Sequence, residues 1–420
     1  MKKTASIVLC SLAIILAAAS CNRVKTPSDS EIQRVKDSIT AEFDRISPRV
    51  IRPAEGFLKF PYLIPAGFYQ QMWDWDGYFM GTWFIYKGKP EYMRYWAEIF
   101  LSIVDERGYT SGCVTTEGPR VKRGTFAMKP FLSQGVQRYC EATGDYEWVR
   151  PYYDRLCKVL AFRDSMQLDR EKGLYFWEMA FQSGADNNPA LNYFLDDTRS
   201  FLCCDCSTMQ MLEFDSQSKI AEGLGYKEDA ELYRAKADAV AEAIRSILWC
   251  DADKCFYNVD RETGDFYRRV SYSSFWPLYA GLADDAAGKE MIRRYLINSE
   301  HMLSPCGLRS LSASDPDYNN RNIIIPFSNW QGPIWIPALV VYADGMLRYG
   351  FKEELKPIAV STARLLLADI EQYDTMHENY DAETGEGLAP APSYVDSTGR
   401  FIGFISWNLC AEMVLDKVLK

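Results

Sequence analysis

Apolar residues recur at helical spacing along most of the chain, in stretches of two kinds. In the first kind only one face is apolar: Pro90–Val104, Tyr146–Asp164, Lys227–Ile247, Ala287–Ile297 and Glu353–Ile370. In the second kind most positions are apolar, which predicts buried helices: Phe131–Thr143, Ser207–Leu224, Ser274–Ala283 and Ile334–Tyr349. The two kinds alternate about every sixty to eighty residues, which predicts an all-α ring of helical hairpins. Because the repeats share neither a length nor a motif, a closed toroid fits better than a regular array.

Strand signals are few. Cys255–Val259 and Phe266–Val270 flank a turn at Glu262–Asp265, which predicts one minor β-hairpin. Five long segments are rich in Gly, Pro, Asn and aromatic residues: Pro61–Tyr78, Gly108–Met128, Tyr175–Ser200, Ser304–Gln331 and Tyr373–Phe404. Loops of this length in a compact domain are usually functional, and a ring of hairpins would gather them at one end.

The N-terminus has the features of a bacterial export signal. Lys2 and Lys3 precede an apolar run, Ile7–Ala19, that is too short to span a bilayer. Small residues then lead directly to Cys21, as in a lipobox, so Cys21 is predicted to carry a lipid. Ordinary signal cleavage nearby is the alternative.

This interpretation divides the chain into a signal peptide (residues 1–20), a lipoprotein tether (21–30) and one toroidal domain (31–420). The expected location is the bacterial cell envelope, with a lipid anchor on the periplasmic or cell-surface side of the outer membrane. A monomer is expected.

Composition narrows the chemistry. Acidic residues outnumber basic ones, 57 to 47, and no basic run is present, so no nucleic-acid partner is expected. The only histidines, His301 and His377, are too few for a histidine-centred metal site. Phosphate loops, dinucleotide fingerprints and serine-hydrolase elbows are absent from the sequence, and no cofactor is predicted. The one cysteine cluster, Cys203, Cys204 and Cys206, is interpreted as small buried residues rather than metal ligands.

Two carboxylates lie in polar, turn-forming segments with aromatic residues nearby. Asp186 belongs to Ser183–Pro189, and Glu378 belongs to Met376–Gly385, far along the chain. Two carboxylates facing each other across a sugar are the minimum equipment for glycosidic hydrolysis. Three segments combine indole rings with Asp, Asn or Gln, which suits sugar binding: Trp73–Phe79, Asn329–Trp335 and Ile405–Asn408. Taken singly, each carboxylate is most simply a turn or surface group, and each tryptophan is core packing.

Together these motifs resemble the (α/α)6-barrel glycoside hydrolases of the trehalase and processing α-glucosidase clan. The resemblance is strongest to family 63 and its compact members similar to mannosylglycerate hydrolases, and it runs from Pro61 to the C-terminus. It implies that Asp186, in Ser-Gly-x-Asp-x-x-Pro, is the general acid. It implies that Glu378, in Glu-x-Tyr-Asp-x-x-Thr-Gly-x-Gly, is the general base. The predicted substrate-binding residues are Trp75, Asp76, Gln134, Trp177, Trp330, Gln331, Gly332, Trp335 and Trp407.

The resemblance implies that an α-glucoside or α-mannoside, as an oligosaccharide or small glycoside, is hydrolysed with inversion. Inversion needs the two carboxyl groups about 6.5–9.5 Å apart, so that a water fits between base and sugar. Asp186 must hold a proton, for which burial or the charges of Asp76 and Glu178 are candidate causes. Gln331 and Ala190 stand where the family usually has arginine, which favours a neutral substrate.

Two alternatives remain open. One is another enzyme on the same toroid: a trehalase-like hydrolase, or an epimerase or lyase, which the scarcity of histidine disfavours. The other is a carbohydrate-binding lipoprotein that captures glycans without cleaving them. It would need the tryptophan-lined cleft but no opposed carboxylates. Asp205 is interpreted as the N-terminal cap of the Ser207–Leu224 helix.

Overall fold

The computed structural model describes residues 26–120, 127–191, 198–322, 328–391 and 393–420. The predicted signal peptide, Cys21 and the first part of the predicted tether lie outside these ranges. The described helices are α1 Asp29–Ile46, α2 Asp74–Tyr86, α3 Glu91–Ser102, α4 Leu132–Thr143, α5 Tyr153–Gln167, α6 Cys204–Leu224, α7 Lys227–Ala243, α8 Trp276–Tyr279, α9 Asp285–Met291, α10 Ile336–Arg348, α11 Lys352–Tyr373 and α12 Cys410–Leu419. None of them has the length and hydropathy that a membrane crossing requires.

The even-numbered helices form an inner ring. Each of α2, α4, α6, α8 and α10 packs against the next, and α12 packs against α2, which closes the ring. Helices α3, α7 and α11 lie outside and pack on their inner neighbours, while α1 covers α11 and α12. The all-α toroid predicted from the sequence is therefore confirmed.

Inner and outer helices differ in how much surface they bury. The outer helix α1 buries one stripe, Ile32, Val35, Ile39 and Phe43, and leaves most of its other positions at least partly exposed. The inner helix α6 is buried on nearly every turn. An enclosed helix has no solvent face, so its sequence loses the amphipathic pattern that marks an outer helix.

The sequence missed helices α1, α2 and α12. Helix α2 begins at Asp74, inside the segment that was predicted to be loop as far as Tyr78. The Ser28 hydroxyl accepts the Glu31 N–H at 3.3 Å and caps α1, so the predicted tether ends inside a helix. Helix α10 begins two residues after the predicted start, with a proline in its first turn.

Short antiparallel strands join the helices: β1 Ile51–Arg52, β2 Tyr62–Leu63, β3 Met72–Trp73, β4 Cys113–Thr115, β5 Gly118–Pro119, β6 Leu168–Asp169, β7 Leu174–Tyr175, β8 Phe201–Leu202, β9 Trp249–Cys250, β10 Cys255–Phe256, β11 Asn258–Asp260, β12 Phe266–Tyr267, β13 Asn379–Tyr380 and β14 Gly387–Ala389. Strands β11 and β12 are the predicted hairpin, and β8 pairs with the other edge of β11. The first predicted strand is divided, because β10 pairs back onto β9 instead. The ten cysteines among the described residues are unpaired.

Candidate active site

Asp186 lies in a loop that is hydrogen-bonded to the tryptophan-rich segment before α10. The side-chain oxygen of the next residue, Asn187, accepts a hydrogen bond from the main-chain N–H of Trp330 at 2.6 Å. The Asn187 carbonyl accepts a hydrogen bond from the Gln331 amide at 3.1 Å. Gln331, predicted to bind substrate, therefore uses one of its donors to hold the loop that carries Asp186.

The Glu378 segment is tied to the same tryptophan-rich segment. Ile334 and Tyr380 exchange two main-chain hydrogen bonds, of 2.8 and 3.1 Å. The Glu378 N–H donates to the Ala389 carbonyl at 2.5 Å, where β13 meets β14. Segments that lie far apart in the sequence thus form one hydrogen-bonded unit that carries both predicted catalytic carboxylates.

Asp186 is partly buried and is hydrogen-bonded to a neighbouring segment. Its carboxylate accepts the Ser328 hydroxyl at 2.9 Å. Burial raises the pKa of Asp186 to about 7, and the Ser328 hydrogen bond and the charge of Lys129 oppose that rise. The predicted contributions of Asp76 and Glu178 are wrong, since neither is among the causes of this shift.

Glycine is required two residues before Asp186. Gly184 has φ +81°, and a Cβ at that position would lie 2.7 Å from the Trp75 ring and 2.9 Å from the Lys129 side chain. The Ser-Gly-x-Asp spacing therefore lets the acid loop pass directly over the indole of Trp75. Glu178 points elsewhere and accepts a hydrogen bond from the Gln182 amide at 2.8 Å.

Glu378 is buried and interacts with the other carboxylates. Burial, and then the charges of Asp76 and Asp186, raise the pKa of Glu378 well above its usual range, while a hydrogen bond from Tyr69 opposes the rise. The Asp186 loop and the Glu378 segment are both hydrogen-bonded to the tryptophan-rich segment before α10. The structure therefore gathers Asp186 and Glu378, predicted as a pair, on one hydrogen-bonded unit, and the charges of Asp186 and Asp76 act on Glu378.

Asp76 lies in the first turn of α2. It accepts the Ser406 hydroxyl at 2.8 Å, and burial raises its pKa to about 7. Asp74, in the same turn, accepts the Lys129 N–H at 2.7 Å and lies 3.4 Å from the Lys129 amine. Two acidic groups at a helix N-terminus face its positive end, which favours their placement there.

Four of the predicted tryptophans form an aromatic floor. Trp330 and Trp335 stack with ring centroids 4.2 Å apart and an interplanar angle of 9°. Trp75 lies 5.9 Å from Trp330 and 5.3 Å from Trp407. Trp330 and Trp335 expose 0% and 1% of their surface, so they support the floor from below. Trp75, 6% exposed, lies under Gly184 and is the ring placed nearest the acid loop.

Three other predicted substrate-binding residues are occupied by protein contacts. The Trp177 indole, 1% exposed, donates to Asp205 at 3.0 Å. The Gln134 amide donates to the Pro130 carbonyl at 2.6 Å. A Cβ on Gly332 would lie 2.3 Å from the main-chain oxygen of Asn319. These residues are engaged with other parts of the protein, and substrate contact by them stays a prediction.

The interpretation of Asp205 as a helix cap is wrong. Helix α6 begins one residue earlier, and Asp205 lies fully buried in its first turn. Its carboxylate accepts the Trp177 indole N–H and, at 3.2 Å, the Ser273 hydroxyl. Ser273 in turn accepts the Asn188 amide at 2.7 Å. Asp205 therefore supports the acid loop from behind.

Three residues near the carboxylates were not singled out from the sequence: Tyr69, Lys129 and Ser328. Tyr69 precedes the Trp-Asp-Trp-Asp run by four residues, which is the one usable signal. Lys129 lies 5.1 Å from the centre of the Trp75 ring and is a positive charge that the sequence argument overlooked. No spacing rule marks Ser328. Within the described part of the chain, no group of three or more His, Cys, Asp or Glu side chains could hold a metal ion.

Comparison with known proteins places this geometry in context. A family model described as "Mannosylglycerate hydrolase MGH1-like glycoside hydrolase domain" matches residues 69–397. The chain is 22% identical to the cytosolic neutral trehalase of Kluyveromyces lactis over 79% of its own length, but it spans only 52% of that relative. It is 23% identical to the mannosylglycerate hydrolase of Rubrobacter radiotolerans over 40% of this chain and 36% of that one.

Solved structures share the toroid. A GH63 mannosylglycerate hydrolase from Thermus thermophilus, in complex with glucose, superposes with a TM-score of 0.66 at 16% identity. That match covers 91% of this chain and 99% of the other. The neutral trehalase of Saccharomyces cerevisiae gives a TM-score of 0.64 at 15% identity, over 86% and 74% of the two chains. At these identities the likeness is one of fold.

Proposed function

Since the chain belongs to the mannosylglycerate hydrolase MGH1-like family of glycoside hydrolases, we propose that it cleaves an α-glucoside or α-mannoside with inversion. Asp186 protonates the leaving oxygen, and Glu378 removes a proton from the attacking water. The observation that carries this proposal is that one hydrogen-bonded unit, built on the segment before α10, holds both the partly buried Asp186 and the buried Glu378 beside an indole floor. A trehalase-like substrate is the second candidate, because trehalases are among the relatives.

The protonation states of the carboxyl groups in the site suit acid–base catalysis. Neighbouring carboxylates cannot all ionise together, so the loss of one proton makes the next harder to remove. At neutral pH the site therefore holds both ionised and protonated carboxyl groups, which an acid–base pair needs. Burial raises the pKa of both Asp186 and Glu378. The division of roles between them consequently rests on the family motifs and requires its own test.

The charge balance supports a neutral glycoside. Lys129 is the cation near both Asp76 and Asp186, but its amine lies beside the buried Asp74 carboxylate and over the Trp75 ring. It is thus committed to protein groups. The indole N–H of Trp407 is buried with no hydrogen-bond partner among the described residues, and a sugar hydroxyl would provide an acceptor for it.

Location and assembly are part of the same proposal. The run of small residues before Cys21 supports export and lipidation, with the toroid held at the bacterial envelope as a monomer. Labelling with a radioactive fatty acid should mark the wild-type protein and not a Cys21→Ala variant. Label on both proteins would overturn the lipid assignment.

The activity is tested by a screen of α-linked gluco- and manno-disaccharides, trehalose included, with proton NMR of the first-formed anomer. Inversion requires that the β-anomer appear first. The roles are tested with α-glycosyl fluoride, whose leaving group needs little protonation. Asp186→Asn should retain most of its kcat on the fluoride and lose about a thousandfold on the glycoside. Glu378→Gln should lose about as much on both, because the base acts in either reaction.

The matched control is Glu386→Gln, an exposed carboxylate in the same segment as Glu378. It should behave as wild type on both substrates. If Glu378→Gln retains activity on the fluoride and Asp186→Asn does not, the roles are reversed. If wild-type protein binds α-linked sugars and cleaves none, the non-catalytic alternative replaces the enzyme.

A further inference from the structure

Two aromatic rings are exposed together on the surface. Phe68 and Tyr394 expose 44% and 38% of their surface, and their centroids lie 5.3 Å apart at an interplanar angle of 88°. The next residue, Val395, is 45% exposed. We call Phe68 and Tyr394 the rim pair. Large exposed apolar side chains that cluster mark binding surfaces more often than isolated ones do.

The rim pair is continuous with the candidate active site through Tyr69. The Phe68 and Tyr69 rings meet edge to face, with centroids 4.9 Å apart. Tyr69 is hydrogen-bonded to Glu378, and its ring packs against Phe404 at 6.0 Å. A row of aromatic side chains therefore leads from the candidate base to solvent.

The rim pair is held by a compact backbone arrangement. The Phe68 N–H donates to the Gly403 carbonyl at 3.0 Å, and the Ile402 N–H donates to the Tyr394 carbonyl at 3.0 Å. A Cβ on Gly67 would lie 2.1 Å from the Gly403 oxygen, so the two loops are in direct backbone contact. Both rings are consequently fixed to one hydrogen-bonded surface. A ligand that stacks on them loses little entropy to loop ordering.

The site can extend in one direction. Trp330 and Trp335 are almost completely buried and offer no free surface to a ligand. A leaving group that extends from Glu378 along Tyr69 reaches the exposed rings of Phe68 and Tyr394. Aromatic rings bind the C–H face of a pyranose, and in an edge-to-face pair neither ring covers the whole face of the other.

We propose that the rim pair is a subsite for a sugar unit beyond the scissile bond, so that the substrate is an α-linked oligosaccharide rather than a small glycoside. This inference rests on the proposed function and narrows its substrate class. The bound unit belongs to the leaving group, and Phe68 and Tyr394 supply stacking surface without reacting.

The test compares substrates that reach the rim pair with one that cannot. We would measure kcat and KM of Phe68→Ala, Tyr394→Ala and the double variant on two tetrasaccharides, maltotetraose and α-1,2-linked mannotetraose. The same constants would be measured on the matching monosaccharide fluorides, α-glucosyl fluoride and α-mannosyl fluoride. The double variant should lose about tenfold or more in kcat/KM on the cleaved tetrasaccharide, mainly through KM. Its kinetics on the fluoride, which has no leaving sugar, should equal wild type. Leu232→Ala, which removes a 50% exposed side chain on α7, is the matched control and should change neither.

Equal losses on tetrasaccharide and fluoride would overturn the inference, because they would mean that the rings only position Tyr69. No loss on either would also overturn it. A loss confined to octyl α-glucosides would show that the pair binds an apolar aglycone instead.

If wild-type protein cleaves no probe, calorimetric titration with both tetrasaccharides decides the matter independently. Binding that the double variant loses would keep the subsite while the hydrolase proposal fails, and absence of binding to wild type would reject the subsite too.

Discussion

The two candidate catalytic carboxylates are held in different ways. Asp186 lies in an irregular loop, and the amide side chains of Asn187 and Asn188 tie that loop to separate segments at 2.6 and 2.7 Å. Glu378 lies directly before a short strand, where main-chain hydrogen bonds to Ala389 and around Tyr380 fix it. The Asp186 loop is thus held by several neutral groups, and the Glu378 segment is held by the regular main-chain hydrogen bonds of a short β-ladder.

The base side also depends on one buried carboxylate. Asp369, on α11, accepts the His377 N–H at 2.6 Å, lies 2.9 Å from the His377 ring nitrogen Nδ1 and accepts the Tyr380 hydroxyl at 2.7 Å. His377 and Tyr380 flank Glu378 in the chain. Side-chain support beside Asp186 is thus spread over several groups, whereas beside Glu378 a single side chain, Asp369, makes three such contacts, and single substitutions should reveal the difference.

Among substitutions outside the catalytic pair, the largest effect is expected from Asp369→Asn. An amide in place of the carboxylate presents N–H groups to donors that now lack acceptors, and each unsatisfied buried donor costs about 1–3 kcal/mol. We expect the melting temperature to fall by several degrees and kcat to fall about tenfold to a hundredfold, because Glu378 loses its position. Differential scanning calorimetry and kinetics on the cleaved disaccharide measure the two effects.

Glu371→Gln is the control for Asp369→Asn. Glu371 lies two residues further along α11 and is exposed, so its loss should leave stability and kcat unchanged. Asn188→Ala, on the acid side, should cost less than Asp369→Asn in kcat, since Asn187 still ties the loop. Equal losses at Asn188 and Asp369 would contradict the contrast between distributed and concentrated support.

How well the sequence predicted each helix depended on whether that helix has a solvent-exposed face. Helical periodicity predicted the outer helices α3, α7 and α11, because such a helix carries a solvent face, although it missed the outer helix α1. Helix α2 escaped notice, since enclosure in the inner ring leaves Asp74–Tyr86 without an apolar stripe and its first turn holds buried acids. The motifs located both Asp186 and Glu378, whereas Lys129 and Ser328 reach the site only through the packing of distant loops, which no local pattern encodes.

Burial of Asp186 and of Glu378 should each lower the free energy of unfolding at alkaline pH. Burial raises the pKa of both, so the folded state binds their protons more tightly than the unfolded state does. Their contribution to stability is present at low pH and is lost as the pH rises, for Asp186 between its unfolded value near 4 and about 7. Asp186→Asn should therefore stabilise the protein at pH 8 by about 1–3 kcal/mol and change little at pH 4. Glu378→Gln should shift stability in the same direction, because burial raises the pKa of Glu378 too.

Denaturant unfolding at pH 4, 6 and 8 measures these differences, with Glu386→Gln as an exposed control. Stabilisation that does not grow with pH would show that neither carboxylate is strained by burial.

The smallest expected effect distinguishes Asp186 from Glu378 by their different responses to the charge of Lys129. Lys129 lowers the pKa of Asp186 and of Asp76, and it is not among the groups that shift the pKa of Glu378. Lys129→Met should raise the pKa of Asp186, so that the limb of the pH profile of kcat/KM that reports Asp186 moves upward by about half a unit to one unit. The other limb, which reports Glu378, should not move, and Lys129→Arg should restore the wild-type profile. Equal movement of both limbs, or of neither, would show that Lys129 does not distinguish Asp186 from Glu378.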